Sequence, residues 1–300
     1  MFTGVPADRA SNAADRARQR LAASRFADVR WVAETGSTNS DAMALARDGA
    51  PEGIVLVADH QTGGRGRQGR VWVAPPEASL LVTVLLRPPA RVVGLTAMAV
   101  GVALAEAVEQ VTGHGPGLKW PNDLVVADDR SDGGAAGADG TDRVDRKLAG
   151  ILAEADWPPG TTASGGWRQP APDDRLAVVV GLGINVNWPS ELPDDLAGIA
   201  TALNHLVGHD VDRVDLLVAF LERLAPGYER LVQDRSAAAL LDEWRRRSAT
   251  LGRRVRVDLG SHDVEGTAVD LTGEGHLVVE TLEGERRTFA VGDVVHLRPL

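Results

Sequence analysis

Cysteine is absent from the 300-residue chain. That excludes disulfides, cysteine-based zinc sites and any mechanism that needs a thiolate nucleophile. Lysine is nearly absent: of 32 basic residues, only Lys119 and Lys147 are not Arg. An ammonium is a compact point charge that enters tight polar pockets where the planar guanidinium fork does not fit, so two exceptions in an arginine-writing chain call for a reason. Positive charge is not in excess either. The formal charge of −10 is the wrong sign for a protein whose main partner is a polyanionic nucleic acid. The longest apolar stretches, 97–108 and 176–186, fall short of the ~18–20 residues that span a bilayer. The N-terminus lacks a charged-then-apolar signal pattern. A soluble, cytoplasmic protein without nucleic-acid or membrane partners is the expectation.

Apolar residues make up 44%, enough to bury a core and to exclude wholesale disorder. At ~150 residues per domain, the length suggests one good-sized domain and a smaller one. Residues 1–30 read as a loose tail or marginal helix, too short for a helix-turn-helix head. Strands are expected at 29–34 and 54–59 around a helix at 39–47 that Gly49 stops. A hairpin pair is expected at 71–74 and 79–86, and a helix apolar on most faces, hence buried, at 92–111. Strands at 118–126, 147–155 and 176–186 follow, interrupted by Gly/Asp-rich 128–145 and Pro/Gly-rich 158–174, both read as surface loops. Helices are expected at 214–224 and 237–248. From Gly252 the texture changes to short β runs with glycine turns at the spacing of a small barrel, placing a domain boundary near residue 250. The fold class is α/β (α+β): a mixed sheet with flanking helices in 31–249, and a small β barrel in 250–300.

Five segments carry candidate chemistry. In 63–70, Gly64-x-Gly66-x-x-Gly69 formally matches a dinucleotide fingerprint, but that motif must open a helix and be followed by an acid for the ribose. Here a β-like segment follows instead. The same glycines have P-loop spacing, with Arg70 and Val71 where Lys and Ser/Thr would hold phosphate and Mg²⁺. What remains is a loop rich in backbone N–H groups, carrying Arg65, Arg67 and Arg70. It suits an anion enclosed from solvent, or else forms a solvated basic turn. Gly36-Ser37-Thr38-Asn39 precedes a helix, where Thr38-x-x-Asp41 has capping-box spacing; its polar groups either cap or meet a ligand. In Lys119-Trp120-Pro121-Asn122-Asp123 the proline cannot donate to a ladder and implies an edge or a bulge. Its polar residues are costly to bury unless they serve one another or a ligand. Lys147 opens an apolar strand, either snorkelling to water or occupying a pocket. The apolar strand 178–185 carries Gly181 and Gly183 before Asn185, which is ordinary turn chemistry or a close approach for a ligand.

Taken in order, Gly36–Asn39, Gln61-x-x-Gly64-Arg65-Gly66-Arg67-x-Gly69 with Trp72, Lys119–Asp123, Lys147–Gly150 and Gly181–Asn185 resemble the biotin protein ligase family, over roughly residues 30–235. The β region after 250 is similar to the SH3-like C-terminal domain of that family. Repressor-type members carry an N-terminal winged helix-turn-helix, for which this chain has no room. The resemblance implies ATP-dependent formation of biotinyl-5′-adenylate and transfer of biotin to a lysine of a biotin carboxyl carrier domain of acyl-CoA carboxylases, with Mg²⁺ held mainly through the ATP phosphates. A lipoate-type ligase of the same fold and a non-enzymatic biotin-responsive regulator are the alternatives. Lys147, Arg67 and Asp123 are implied as catalytic. Ser37, Thr38, Asn39, Gln61, Gly64, Arg65, Gly66, Trp72, Gly150 and Gly181 join Arg67 and Lys147 around biotin. Lys119, Trp120, Asn122, Asp123 and Asn185 join Arg65, Arg67 and Lys147 on the nucleotide side.

Overall fold

A computed structural model describes residues 7–128, 144–157, 170–234 and 236–297. Both expected surface loops lie, except for their flanks, outside the described residues. In chain order the elements are α1 (Ala7–Arg20), β1 (Val29–Thr35), α2 (Thr38–Arg47), β2 (Val55–Gln61), β3 (Ser79–Leu86), α3 (Thr96–Thr112), β4 (Gly117–Lys119), β5 (Asp123–Asp128), β6 (Val144–Asp156) and β7 (Ala177–Asn185). Short helices α4 (Asp194–Ala197) and α5 (Leu203–Val207) lead to α6 (Arg213–Gln233) and α7 (Ala238–Arg246). The C-terminal strands are β8 (Arg254–Asp258), β9 (Asp263–Leu271), β10 (Leu277–Thr281), β11 (Arg286–Phe289) and β12 (Asp293–His296).

The main sheet has the order β1-β2-β3-β7-β6-β5-β4, with β1 and β2 parallel and the other neighbours antiparallel. Strand alternation assigns its two faces. Leu80, Val82, Val84 and Leu86 of β3, with Val178, Val180, Leu182 and Ile184 of β7, belong to the large core that also takes α3 and α6. On the opposite face α2 packs Ala42 and Ala46 against Leu56, Leu85 and Val179. Further along that face the strands offer Gly150, Gly181 and Gly183, with Gly150 paired to Gly183. A sheet face with no side chains on adjacent strands leaves a concavity. The C-terminal strands form a second, antiparallel sheet in the order β11-β10-β9-β8-β12.

Four expectations give way to tertiary packing. Residues 7–20 form a helix whose Ala10, Ala14, Ala17 and the following Leu21 are buried against the core. The small alanines let α1 approach closely, and Arg16–Asp212 (2.6 Å) and Arg20–Asp215 (2.5 Å) tie it to α6. Segment 71–74 does not pair with β3; Trp72 donates to Gly64 O (3.0 Å) and Val71 bridges Arg65. The run 118–126 is two antiparallel strands, β4 and β5, turning at 120–122 and pairing Leu118 with Leu124. The proline breaks the ladder there, and β4 becomes the sheet edge while β5 pairs with β6 through an irregular register. The helix expected to stop at Leu224 runs through Pro226 to Gln233. One lost hydrogen bond and the ring clash cost about 3 kcal/mol, offset by Tyr228 and Leu231 buried beyond it.

The apolar-run reading also needs correcting. The 90–112 helical stretch is long and apolar enough to cross a membrane by length and composition, with mean hydropathy 1.7. It is, however, 72% buried inside the protein, between the sheet and α6, as a core helix is.

Candidate active site

The concavity on the glycine face is a cavity of about 390 Å³, within the ~300–1,000 Å³ range of small-molecule sites. Its floor is built by β6 and β7. A methyl on Gly181 would overlap Asn39 Oδ1, and one on Gly183 would lie 2.7 Å from Trp72 Cε2. One on Gly150 would lie 3.2 Å from both Lys147 Nζ and Trp72 Cζ3. The Trp72 ring therefore lies across the paired glycines, and its buried Nε1 has no hydrogen-bond partner.

One end of the cavity is the N-terminus of α2. Ser37 is the N-cap, yet its side chain does not cap. Gln61 Oε1 does so instead, accepting from Thr38 N (2.7 Å) and Thr38 Oγ1 (3.1 Å). The capping-box reading of Thr38 and Asp41 therefore fails: Thr38 lies inside the helix with its Oγ1 donating to Gln61, and Asp41 accepts from Thr35 Oγ1 (2.6 Å). Asn39, 5% exposed, is a buried hub. Its Oδ1 accepts from Thr83 Oγ1 (2.7 Å), and its Nδ2 donates to Leu152 O (3.2 Å) and Glu154 Oε2 (2.8 Å).

The other end is cationic. Lys147 Nζ sits 2.7 Å from Asp123 Oδ1 and 5.7 Å from the Trp72 ring centre, so it points into the site rather than snorkelling to bulk water. Burial lowers the pKa of Lys119, with the Lys147 charge adding to this and Asp123, Asp145 and Asp293 opposing it. Five cationic side chains, Arg65, Arg67, Arg70, Lys119 and Lys147, line the cavity against two carboxylates, Asp123 and Asp293. An acidic chain thus concentrates positive charge at one place, the arrangement expected for an anionic ligand.

The Gly-Arg loop closes one side. Arg65 Nη2 reaches Glu154 Oε2 (3.0 Å) and Ser40 Oγ (3.2 Å). Arg67 donates to Asn122 Oδ1 (3.3 Å) and Gly292 O (3.4 Å) and lies 3.6 Å from Asp293 Oδ1. Arg70 pairs with Asp293 Oδ2 (2.5 Å). The small β domain therefore supplies part of the wall, through Asp293, Val294 and Val295. The 119–123 segment grips that domain: Trp120 N donates to Thr250 Oγ1 and Trp120 Nε1 to Gly275 O, each at 3.0 Å.

Of the residues singled out from sequence, Ser37, Thr38, Asn39, Gln61, Arg65, Gly66, Arg67, Trp72, Lys119, Trp120, Asn122, Asp123, Lys147, Gly150 and Gly181 line this one cavity. Gly64 and Asn185 do not. A methyl on Gly64 would meet Trp72 O at 2.5 Å, so Gly64 lets the loop pack on the 71–74 segment. Asn185 is buried, donating to Thr201 O (3.0 Å) and accepting from Ser79 Oγ (3.3 Å). Sequence reasoning missed Thr83, Glu154 and Asp293. Glu154 was within reach, since it follows Gly150 and Leu152 on one face of β6 at period two. Asp293 carried no local signal.

Among known proteins, residues 34–158 match the biotin/lipoate A/B protein ligase family and residues 250–297 match the biotin protein ligase C terminal domain. The biotin–[acetyl-CoA-carboxylase] ligase of Mycobacterium tuberculosis is 37% identical over 276 residues, covering 89% of this chain and 88% of that protein. The bifunctional ligase/repressor BirA of Bacillus subtilis is 29% identical, covering 85% of this chain and 70% of that protein. The structure of the biotin protein ligase from Aquifex aeolicus in complex with biotin and ATP superposes with a TM-score of 0.69 at 27% identity, over 91% of this chain and 100% of that one.

Proposed function

The chain belongs to the biotin protein ligase family, and from that premise we propose how its own residues activate biotin with ATP and pass it to the lysine of a biotin carboxyl carrier domain. The observation that carries the assignment of roles is the meeting of Lys147, Asp123, Trp72 and the Gly-Arg loop over a glycine floor. In the first step a biotin carboxylate oxygen attacks the α-phosphorus of ATP, the bond to the β-phosphate oxygen breaks, and pyrophosphate leaves. Two anions must approach each other, so the site has to supply cations and exclude water. Lys147, fixed by Asp123 at 2.7 Å, touches both the carboxylate and the α-phosphate. Arg67 and Lys119 complete the positive wall, and Asn122 holds Arg67.

The bicyclic ring and valeryl chain of biotin lie along Trp72 and Leu152 on the glycine floor. The ureido group meets Ser37, Gln61 and Arg65, while Asn39 acts from below by fixing the floor. In the second step the carrier's amine attacks the acyl carbon, the bond to the phosphate oxygen breaks, and AMP leaves. Asp123 is the carboxylate on that wall to draw the incoming ammonium and take its proton. No side chain forms a covalent intermediate in this scheme.

Among the described residues there is no group of three or more His, Asp or Glu able to hold a metal ion. This donor set suits a Mg²⁺ that arrives on the nucleotide phosphates, with Asp123 the residue to add a ligand. Its contribution there is neutralisation of phosphate charge.

The test is ATP-dependent biotin transfer to a purified carrier domain, alongside pyrophosphate exchange driven by biotin or by lipoate. Biotin-driven exchange and labelling of a single carrier lysine are expected. Exchange driven by lipoate alone would assign the site to the other branch of the fold.

A further inference from the structure

Glu154 takes part in no step above, although it touches two parts of the site at once. It stands on β6 two residues beyond Leu152, on the face that carries the glycine floor. One carboxylate oxygen, Oε2, accepts from Asn39 Nδ2 at 2.8 Å and from Arg65 Nη2 at 3.0 Å. These donors differ in kind. Asn39 is buried and fixed by Thr83 and the Leu152 carbonyl. Arg65 belongs to the Gly-Arg loop, is about half exposed, and has Ser40 Oγ as its only other side-chain hydrogen bond among the described residues.

Resting on the ligase reading above, we infer that Glu154 is a positioning residue that joins the buried floor of the biotin site to the loop covering it, and so sets how long the activated intermediate is retained. An exposed ion pair is ordinarily weak because both side chains must be ordered to make it. Here Asn39 has already ordered the carboxylate, so Arg65 meets a fixed acceptor. The other two loop arginines are held differently, both by Asp293 of the small domain and Arg67 also by Asn122 of the 119–123 segment. Glu154 is therefore the tie between the loop and the buried Asn39 beneath the biotin site. A glutamine at 154 keeps the length and an acceptor for Asn39 but turns a charge-assisted bond to Arg65 into a neutral one, which is roughly half as strong.

The experiment uses the full chain in four forms: wild type, Glu154→Gln, Arg65→Ala and the double variant. The dissociation rate of preformed biotinyl-adenylate, KM for biotin, the single-turnover rate of adenylate formation and thermal unfolding are measured for each. Glu154→Gln is expected to raise both the dissociation rate and KM about three- to tenfold, half of one charge-assisted contact, with the saturated rate of adenylate formation falling far less. In the Arg65→Ala background the same substitution adds little, because the partner is gone. Arg65→Ala alone also raises the dissociation rate, through its own ureido contact, and serves as the background; if Glu154→Gln folds poorly, Glu154→Asp, which keeps the charge and shortens its reach to Arg65, takes its place in the same cycle. Unchanged dissociation in Glu154→Gln overturns it, as do equal increments in both backgrounds, which would place the effect on Asn39 alone. A wild-type chain that makes no biotinyl-adenylate refutes the ligase reading instead, so the two failures are distinguishable.

Discussion

Gly181 and Gly183 look alike in sequence, but the structure assigns their replacement by alanine opposite consequences. A methyl on Gly181 would overlap Asn39 Oδ1, with Asn39 Cγ 2.8 Å and Nδ2 3.1 Å away. Asn39 cannot yield cheaply. It lies in the first turn of α2, whose Ala42 and Ala46 are packed in their own core cluster, and it bonds Thr83, the Leu152 carbonyl and Glu154. Displacing it breaks up to three hydrogen bonds at about 1 kcal/mol each; shifting β7 instead incurs the ~1–3 kcal/mol of overpacking. Either route costs Gly181→Ala about 2–3 kcal/mol of stability, together with the biotin site. At Gly183 the methyl would meet Trp72 Cε2 at 2.7 Å and Nε1 at 2.9 Å. That indole hangs between Val71 and Val73, 72% and 71% exposed, and its Nε1 has no bond to lose. The ring can swing out, so Gly183→Ala keeps stability within about 1 kcal/mol while KM for biotin rises about tenfold or more as the apolar platform moves. Urea unfolding and biotin-driven pyrophosphate exchange measure the two effects. If Gly181→Ala unfolds within about 0.5 kcal/mol of wild type, an ordinary surface effect, then Asn39 is not the rigid hub described, and the reasoning fails.

Lys147→Ala is expected to abolish adenylate formation and Lys147→Arg to recover little, since Gly150 and Trp72 leave no room for the guanidinium fork; near-normal pyrophosphate exchange by the Arg variant would refute the pocket-ammonium argument. Arg67→Gly loses its bonds to Asn122 and Gly292 and the contact proposed to the adenylate. It should weaken intermediate binding by ~1.5–3 kcal/mol, roughly ten- to hundred-fold. The escaping acyl donor should then label lysines on a bystander protein, whereas Lys147→Ala stays silent; absence of labelling despite intact adenylate synthesis would place retention in other groups. Burial pushes the His296 pKa below its ordinary 6.5, the bond to Asp145 opposing this and the Lys119 and Arg253 charges adding to it. Between the folded value and 6.5 the unfolded chain therefore binds more protons. Stability should decline as pH falls through 6.5 and level off below the folded value. His296→Gln should flatten that slope in pH-resolved unfolding, and an unchanged slope would show that other groups cause it.

Composition and local pattern determined a good deal. Two lysines in a chain that otherwise writes Arg both line the cavity, because a small cation in a tight space is a requirement of residue type. Alternation located β1 and β2, apolar runs located β3, β6 and β7, and the glycines of β6 and β7 marked a face that nothing fills. Those signals lie within a few residues of one another, and the chain carries them before it folds. Packing between distant segments decided the rest. The alanine stripe of α1 looks too weak for a helix until β1 and α6 cover it, and α6 continues past Pro226 because its far end is buried. Asn39 reads as a ligand contact or a cap, and only its meeting with Thr83 and Glu154, more than forty and a hundred residues away, makes it the fixed floor of the site. Asp293 lies in another domain, and its approach to Arg67 and Arg70 follows from how the small sheet docks on Trp120. Hydrogen-bond partners brought together by such docking leave no periodicity in the chain, because their spacing is set by the fold and not by the backbone repeat.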